Sequence, residues 1–294
     1  MIRFSGATMT KKSVAGIAVV GGSGLYAMSE LKDVKDIKVR TPFGDPSDKI
    51  VLGRLSGVPV AFLPRHGRRH TILPGEINQR ANMWALKSLG VRTVISASAV
   101  GSLRSELAPT HFVFPDQFVD ETRGRVSTFF GAGIVGHVPM AEPFCSSLSR
   151  LMYKAALKLG IRSHLGGTYV CMEGPGFSTR AESFYHRKMG YSIIGMTVAT
   201  EAKLAREAGF HYVPVSLVTD YDCWKEGEEV DQEKVVGILH KNIENIRRLL
   251  VKVIPAAAAA GCSTNCAGLI KNSVFTRREH FPPKLYKALK PLIG

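Results

Sequence analysis

Short runs of β-branched and apolar residues alternate with stretches whose apolar positions recur every three or four residues, the pattern of strands interleaved with amphipathic helices. Ile17–Val20 reads as a buried strand entering Gly21-Gly22-Ser23-Gly24. Lys49–Leu52 and Val58–Leu63 predict an antiparallel pair turned at Ser56-Gly57, and Ile77, Ala81, Trp84 and Ala85 predict a helix over Glu76–Leu89. Further strands are expected at Thr93–Ala97, Phe112–Val119, Thr168–Met172, Ser192–Ile194 and Tyr212–Val218, with helices at Ser146–Leu159 and Arg180–Met189. The last strong helix runs from Asp231 to about Val253 on the stripe Val236, Leu239, Ile243, Ile246 and Leu250. That stripe is core packing rather than a cofactor box. Ala256–Ala260 is expected to end or fray the helix before Gly261, and the Pro-rich remainder leaves room for one short helix, Lys284–Leu289.

The alternation predicts an α/β layer architecture. With 294 residues, no internal repeat and no long linker, the chain is read as one large domain, 15–255, with a flexible tail (1–14) and a C-terminal arm (256–294) that completes it. Composition then excludes several classes. No apolar run reaches the roughly 18–20 residues that span a bilayer. The leading segment has basic residues but no apolar core of a secretory signal. Five scattered cysteines, an odd number, point to reduced thiols and a cytoplasmic location. Cys262 and Cys266 are close, but no further Cys or His follows at metal-ligand spacing, so no metal site is expected. The net charge of +15 is concentrated toward the C-terminus without interleaved stacking aromatics or a recognition motif. A solvated basic face follows, and a positive field that draws in small anions, rather than a nucleic-acid partner.

Several strands end in small or polar residues: Gly22-Ser23, Arg65-His66, Ser98-Ala99, Met196-Thr197 and Thr219-Asp220. In open α/β sheets ligands bind where the loops leave the carboxyl ends of strands, so these ends are candidates for one pocket. Gly21-Gly22-Ser23-Gly24 suits an anion approached by backbone N–H groups, although it is neither a dinucleotide nor an ATP fingerprint. In Arg65-His66-Gly67-Arg68-Arg69-His70, Arg65 and His66 directly follow the strand and take the site role, while Arg68 and Arg69 read as the exposed pair. Phe177 is placed to stack on a planar ligand; Ser178 either contacts it or caps the following helix, and capping is the simpler reading. Asp220 and Asp222, two apart at the end of a hydrophobic strand, need a partner for buried charge. They are suited to hydrogen-bonding a heteroaromatic edge and moving a proton.

These residues, with GGSGL (Gly21–Leu25), TPFGDPSD (Thr41–Asp48), RHGRRH (Arg65–His70), NQRANMWALK (Asn78–Lys87), HVPMAEPFC (His137–Cys145), EGPGFSTRAES (Glu173–Ser183), MTVATEAKLAREAG (Met196–Gly209) and TDYDCWKE (Thr219–Glu226), resemble the 5′-methylthioadenosine phosphorylases of the purine nucleoside phosphorylase family. The resemblance covers about Ile17 to Leu250 and implies the nucleoside-phosphorylase fold, a twisted mixed β-sheet flanked by helices. It implies a phosphate site of Ser23, Arg65, His66, Ala99 (through its N–H) and Thr197. It places Ser98 and Met196 at the nucleoside, Phe177 and Ser178 at the base, and Asp220 and Asp222 against N7 and the 6-amino group. His137 is implied to reach into a neighbouring subunit's site, hence a homotrimer. The chain departs from the family at Gln79, Gly176 and Thr200, and the segment after about Pro255 does not align.

The resemblance further implies phosphate-dependent cleavage of the N-glycosidic bond of 5′-methylthioadenosine, with adenosine a second substrate, giving adenine and 5-methylthioribose 1-phosphate. Inorganic phosphate is a co-substrate, and no cofactor is required. Members for 6-oxopurines carry Asn and Glu where this chain has Asp220 and Ser178, which favours adenine. The nearer alternative is a 6-oxopurine phosphorylase acting on inosine or guanosine; the more distant one is a catalytically silent nucleotide- or RNA-binding protein.

Overall fold

The computed structural model describes residues 13–227, 232–259 and 266–294. Cys262 and the expected helix start at Asp231 lie outside the described residues. The strands in chain order are β1 (Ile17–Gly21), β2 (Leu31–Ile37), β3 (Ile50–Leu55), β4 (Val58–Pro64), β5 (Thr93–Ser102), β6 (Phe112–Phe114), β7 (Gln117–Asp120), β8 (Ser163–Leu165), β9 (Thr168–Cys171), β10 (Ile193–Gly195) and β11 (His211–Asp220). The helices are α1 (Gln79–Ser88), α2 (Ser146–Lys158), α3 (Arg180–Lys188), α4 (Val198–Glu207), α5 (Gln232–Ala259) and α6 (Pro283–Ile293).

All strands join one mixed sheet, ordered β2-β3-β4-β1-β5-β10-β9-β7, with β11 also on β5, β6 on β11 and β8 on β6. Alternation along the strands divides the core. In β1, Ala18 and Val20 face the cluster packed by α1, α4 and α6, while Ile17 and Val19 face that of α2 and α5. The expected β3–β4 hairpin is present, and the expected α2 and α3 differ from the observed helices only at their last residue.

Other expectations are corrected by tertiary context. Thr93–Ala97 is only the first half of β5, because β11 runs parallel beside it as far as Val100 and Gly101, so Ser98-Ala99-Val100-Gly101-Ser102 continues the strand. Phe112–Val119 divides into β6 and β7 at Pro115-Asp116, where proline cannot donate to a ladder. The helix expected from Glu76 begins at Gln79, because the Asn78 side chain caps it by accepting from the Ala81 N–H at 3.1 Å, and Pro74–Glu76 forms a separate 3-10 turn. Exposed β2 and three-residue β8 were not anticipated, nor was α4. The helix expected to run to about Val253 continues through Pro255 to Ala259, inside the Ala256–Ala260 stretch expected to end it. Proline removes the N–H that would bond the Val251 carbonyl, and the Ser56 hydroxyl donates to that carbonyl instead at 3.1 Å. At the ends, Val14 N–H donates to Leu89 O at 2.9 Å, and α6 lies against α1, where Trp84 Nε1 donates to Ala288 O at 2.7 Å.

Candidate active site

Strand β5 carries the site. Along one side it pairs with β11 throughout; along the other it pairs with β1 at Thr93–Ser96 and with β10 at Gly101–Ser102. Ala97–Val100 therefore face a gap between two neighbours. The Ala97 carbonyl accepts from Arg65 Nη1 at 3.0 Å on the β1 and β4 side. By strand alternation, Ala99 presents its N–H to the same side as the Ala97 carbonyl. Ser98, between them, is half-buried.

The ends of β1 and β4, paired at Gly21 and Pro64, border this gap. Ser23 opens a 3-10 turn, Ser23–Leu25, whose Gly24 carbonyl is held by Arg247 Nε at 2.8 Å. At the end of β4, Arg65 is 2% exposed and its guanidinium is engaged within the fold. Nε pairs with Glu201 at 3.0 Å, and Nη2 donates to Ser96 Oγ at 2.7 Å. Glu201, fully buried, also accepts from Ser96 Oγ and from Tyr212 Oη at 2.8 Å. Burial alone would raise the Glu201 carboxyl, but Arg65 and these donors hold it below its ordinary value. Arg65 thus sits as half of a neutral pair beneath the site.

His66, beside Arg65, is held in its neutral form. Burial, then the neighbouring Arg65 charge, pushes its ring down to about 4. Its Nδ1 lies 2.9 Å from Ile72 O, and a nitrogen facing a carbonyl carries the hydrogen, which leaves Nε2 as an acceptor. Arg68, expected to be exposed, is instead half-buried between Asp36 at 2.6 Å and Asp48 at 3.5 Å.

Across the gap, Met196 and Thr197 link β10 to α4. Thr197 is the N-terminal boundary residue of α4, yet its hydroxyl makes no capping bond and is buried without a partner among the described residues. A hydroxyl at a helix N-terminus, with the first N–H groups and the helix dipole behind it, is an anion site. Met196 is fixed through its carbonyl, which accepts from Arg125 Nη1 at 2.6 Å while Arg125 Nε pairs with Glu173 at 3.0 Å. Gly174 is required here, since a Cβ would stand 2.5 Å from Met196 Sδ.

The two aspartates close β11. The register slips between Val218 and Asp220, a bulge that re-aims the strand end. Gly101 lets β10 and β11 converge: a Cβ there would lie 3.0 Å from Ile194 Cγ2 and 3.1 Å from Asp220 Oδ1. Asp220 Oδ1 accepts the Asp222 N–H at 2.8 Å, and Asp222 has φ of +53°, the left-handed region. Asp222 Oδ2 is buried with no partner among the described residues. Burial raises the Asp220 carboxyl, and the Asp222 charge adds to the rise against the Thr219 and Asp222 donors. The Thr219 hydroxyl reaches two acceptors, Asp220 Oδ2 at 2.7 Å and Val100 O at 3.2 Å, and one proton serves only one of them. A protonated Asp220 donating to Thr219, which donates onward to Val100, satisfies all three groups.

The remaining candidates line the rim. Ser178 does not cap α3; Thr179 does, accepting from the Glu182 N–H at 3.2 Å in a capping box. The Ser178 hydroxyl is left 3.9 Å from Met172 Sδ, and its carbonyl accepts from Cys223 Sγ at 3.3 Å, which ties the Phe177 loop to the aspartates. Phe177 itself is 79% exposed. His137 is exposed as well, its ring 5.4 Å edge-on to exposed Phe275.

A gap in a mixed sheet, an unpartnered hydroxyl at a helix N-terminus and a buried acid pair together suit an anion subsite and a proton-handling one. Residues 16–255 match the family model of the phosphorylase superfamily. The chain belongs to that superfamily. It is 48% identical over 281 residues to an S-methyl-5′-thioadenosine phosphorylase of Koribacter versatilis, covering 95% of this chain and 96% of that one. It is 52% identical over 242 residues to its counterpart in Hyperthermus butylicus, covering 82% and 88%. A crystal structure of methylthioadenosine phosphorylase from an Antarctic soil metagenomic library superposes with a TM-score of 0.93 at 44% identity, covering 96% and 100%. The Schistosoma mansoni methylthioadenosine phosphorylase in complex with adenine gives 0.83 at 37%, covering 88% and 98%.

Superfamily membership accords with the fold expected from the sequence. Sequence reasoning missed the residues that hold the strand ends in place: Glu201, Tyr212, Arg125 and Glu173. For Glu201 the signal was present, an acid on a face otherwise made by Val198, Ala202 and Ala205. For Arg125 and Glu173 none was, since their partners are distant in sequence.

Proposed function

We propose that this chain cleaves S-methyl-5′-thioadenosine with inorganic phosphate, releasing adenine and 5-methylthioribose 1-phosphate. The observation that carries the reading is the pair Asp220 and Asp222 at the bulged end of β11, with Ser178 tied to the same loop. Such a set suits a 6-amino purine: a carboxylate accepts from the amino group, and a protonated carboxyl donates to N7. Phosphate sits in the gap of β5, bound by the Ala99 N–H, the Thr197 hydroxyl and the Ser23 turn, with neutral His66 accepting a phosphate hydroxyl.

As the C1′–N9 bond breaks, its electron pair passes to the base and positive charge builds on the ribose. Bound phosphate stabilises that charge and then forms the new C1′–O bond, an effect of positioning and electrostatics. Asp220, its carboxyl raised by burial, delivers the proton to N7, so adenine leaves neutral. Asp222, with one oxygen unpartnered, holds the amino edge. Met196 lies under the ribose and Ser98 beside it. No cofactor takes part. Phe177 and His137, both exposed in one chain, are completed by a neighbouring subunit of a homotrimer, and the enzyme is cytoplasmic. None of the described helices is long and apolar enough to cross a membrane.

The test is base release from methylthioadenosine, adenosine and inosine, with and without phosphate. Phosphate-dependent release of adenine is expected; preference for inosine, or activity without phosphate, overturns the reading. Asp220→Asn should slow adenine release by about 10²–10⁴-fold, and a wild-type rate would refute the role of Asp220.

A further inference from the structure

Away from this site, Cys145, His211 and Cys266 place one ligand atom each within 4.8 Å of one another. Cys145 precedes α2, His211 opens β11 and Cys266 follows α5, so residues far apart in sequence meet. Both cysteines are buried, and His211 Nδ1 is buried without a partner among the described residues. The backbone holds the cluster together. Cys145 N–H donates to Tyr212 O at 2.8 Å, and His211 N–H donates to Arg92 O at 2.9 Å. Gly209, at φ of +67°, lets the turn of Cys266 and Ala267 approach, because a Cβ there would lie 3.3 Å from Ala267 Cα.

We propose that Cys145, His211 and Cys266 form a structural zinc site. Two thiolates and an imidazole are a soft donor set that selects Zn²⁺ over the hard divalent cations. With Zn–S of about 2.3 Å and Zn–N of about 2.0–2.1 Å, tetrahedral ligand atoms stand about 3.5–3.8 Å apart, so a cluster within 4.8 Å closes on the ion by a contraction of at most about 1 Å. Three protein ligands leave the fourth position to water. On binding, Cys145 and Cys266 each release a proton and His211 coordinates as the neutral ring, so two protons leave per ion. Nine residue steps of about 3.3 Å separate His211 from Asp220 along β11, which puts the metal some 30 Å from the acid pair. The site is structural: it ties the start of α2, the start of β11 and the segment after α5 into one corner.

The experiment uses the full chain, stripped with a chelator and titrated with Co²⁺ and Zn²⁺. One Co²⁺ per chain, with thiolate-to-cobalt charge-transfer absorption and tetrahedral visible bands, is expected; a spectrum without charge transfer overturns the proposal. Cys266→Ser and His211→Asn should weaken Zn²⁺ binding by about a hundredfold or more while leaving base release unchanged, and equal affinity in the variants overturns it. In the unmodified protein, Zn²⁺ should protect Cys145 and Cys266 from alkylation, mapped by mass spectrometry. Equal labelling with and without Zn²⁺, or recovery of the two as a disulfide-linked peptide, overturns the site as well.

Discussion

Glu201→Gln tests whether the site rests on a buried charge pair. The substitution keeps shape and some hydrogen bonding but removes the negative charge facing Arg65, whose side chain is 2% exposed. An uncompensated buried guanidinium costs about 3–5 kcal/mol. At roughly 2–3 °C per kcal/mol for a chain of this size, Tm should fall by about 6–15 °C. Adding Arg65→Met removes the orphaned charge, so the double variant should lose clearly less than the two single losses combined. Scanning calorimetry of the four proteins closes the cycle. The pair also fixes the pH response. The folded Glu201 carboxyl lies below its ordinary value, so its stabilisation is complete above the ordinary glutamate range and is withdrawn as pH falls through the lowered value. A Tm loss under about 2 °C in Glu201→Gln, or additive losses in the double variant, would refute the reasoning.

Thr197→Val removes the unpartnered hydroxyl at the start of α4, and KM for phosphate should rise by about 10–100-fold with little change in Tm; an unchanged phosphate KM counts against the anion site. The His66 ring, held down to about 4, resists the proton that an unfolded histidine takes up near pH 6.5. Stability should therefore fall as pH drops between those values, and His66→Gln should flatten that slope in urea titrations. Gly101→Ala places a methyl 3.1 Å from Asp220 Oδ1 and 3.0 Å from Ile194 Cγ2, and kcat should fall more than stability does; normal turnover would show that the acid pair tolerates displacement.

The parts of the fold legible in the chain were those whose signal is local. The apolar runs of β1, β4 and β11 and the stripe of α5 announce themselves by period, and the aspartates by charge at an apolar strand end. What escaped depends on distant partners. β2, with five of its seven residues exposed, has no apolar run and exists through its pairing with β3. Ser98–Ser102 reads as a loop because its composition is small and polar, yet β11 holds it as strand. Arg65 is marked by its place at the end of an apolar strand, but its engagement with Glu201 requires α4, which the sequence did not declare. Ser178 was read as a cap because nothing local separates it from Thr179, until Glu182 closes the box on the latter.

The gap in β5 also divides the molecule by mobility. Amides of β5 held between strands exchange only when the sheet opens, whereas those of Ala97–Val100 that point into the gap have no strand partner there and exchange by local opening. The floor of the gap is therefore held firmly along β11 and open to exchange on its other side. The Phe177 turn and the segment after Asp220 are held by side-chain contacts and are partly solvated. On the proposed reading, drift in these outer loops changes base preference while leaving the β-sheet floor that would hold phosphate intact.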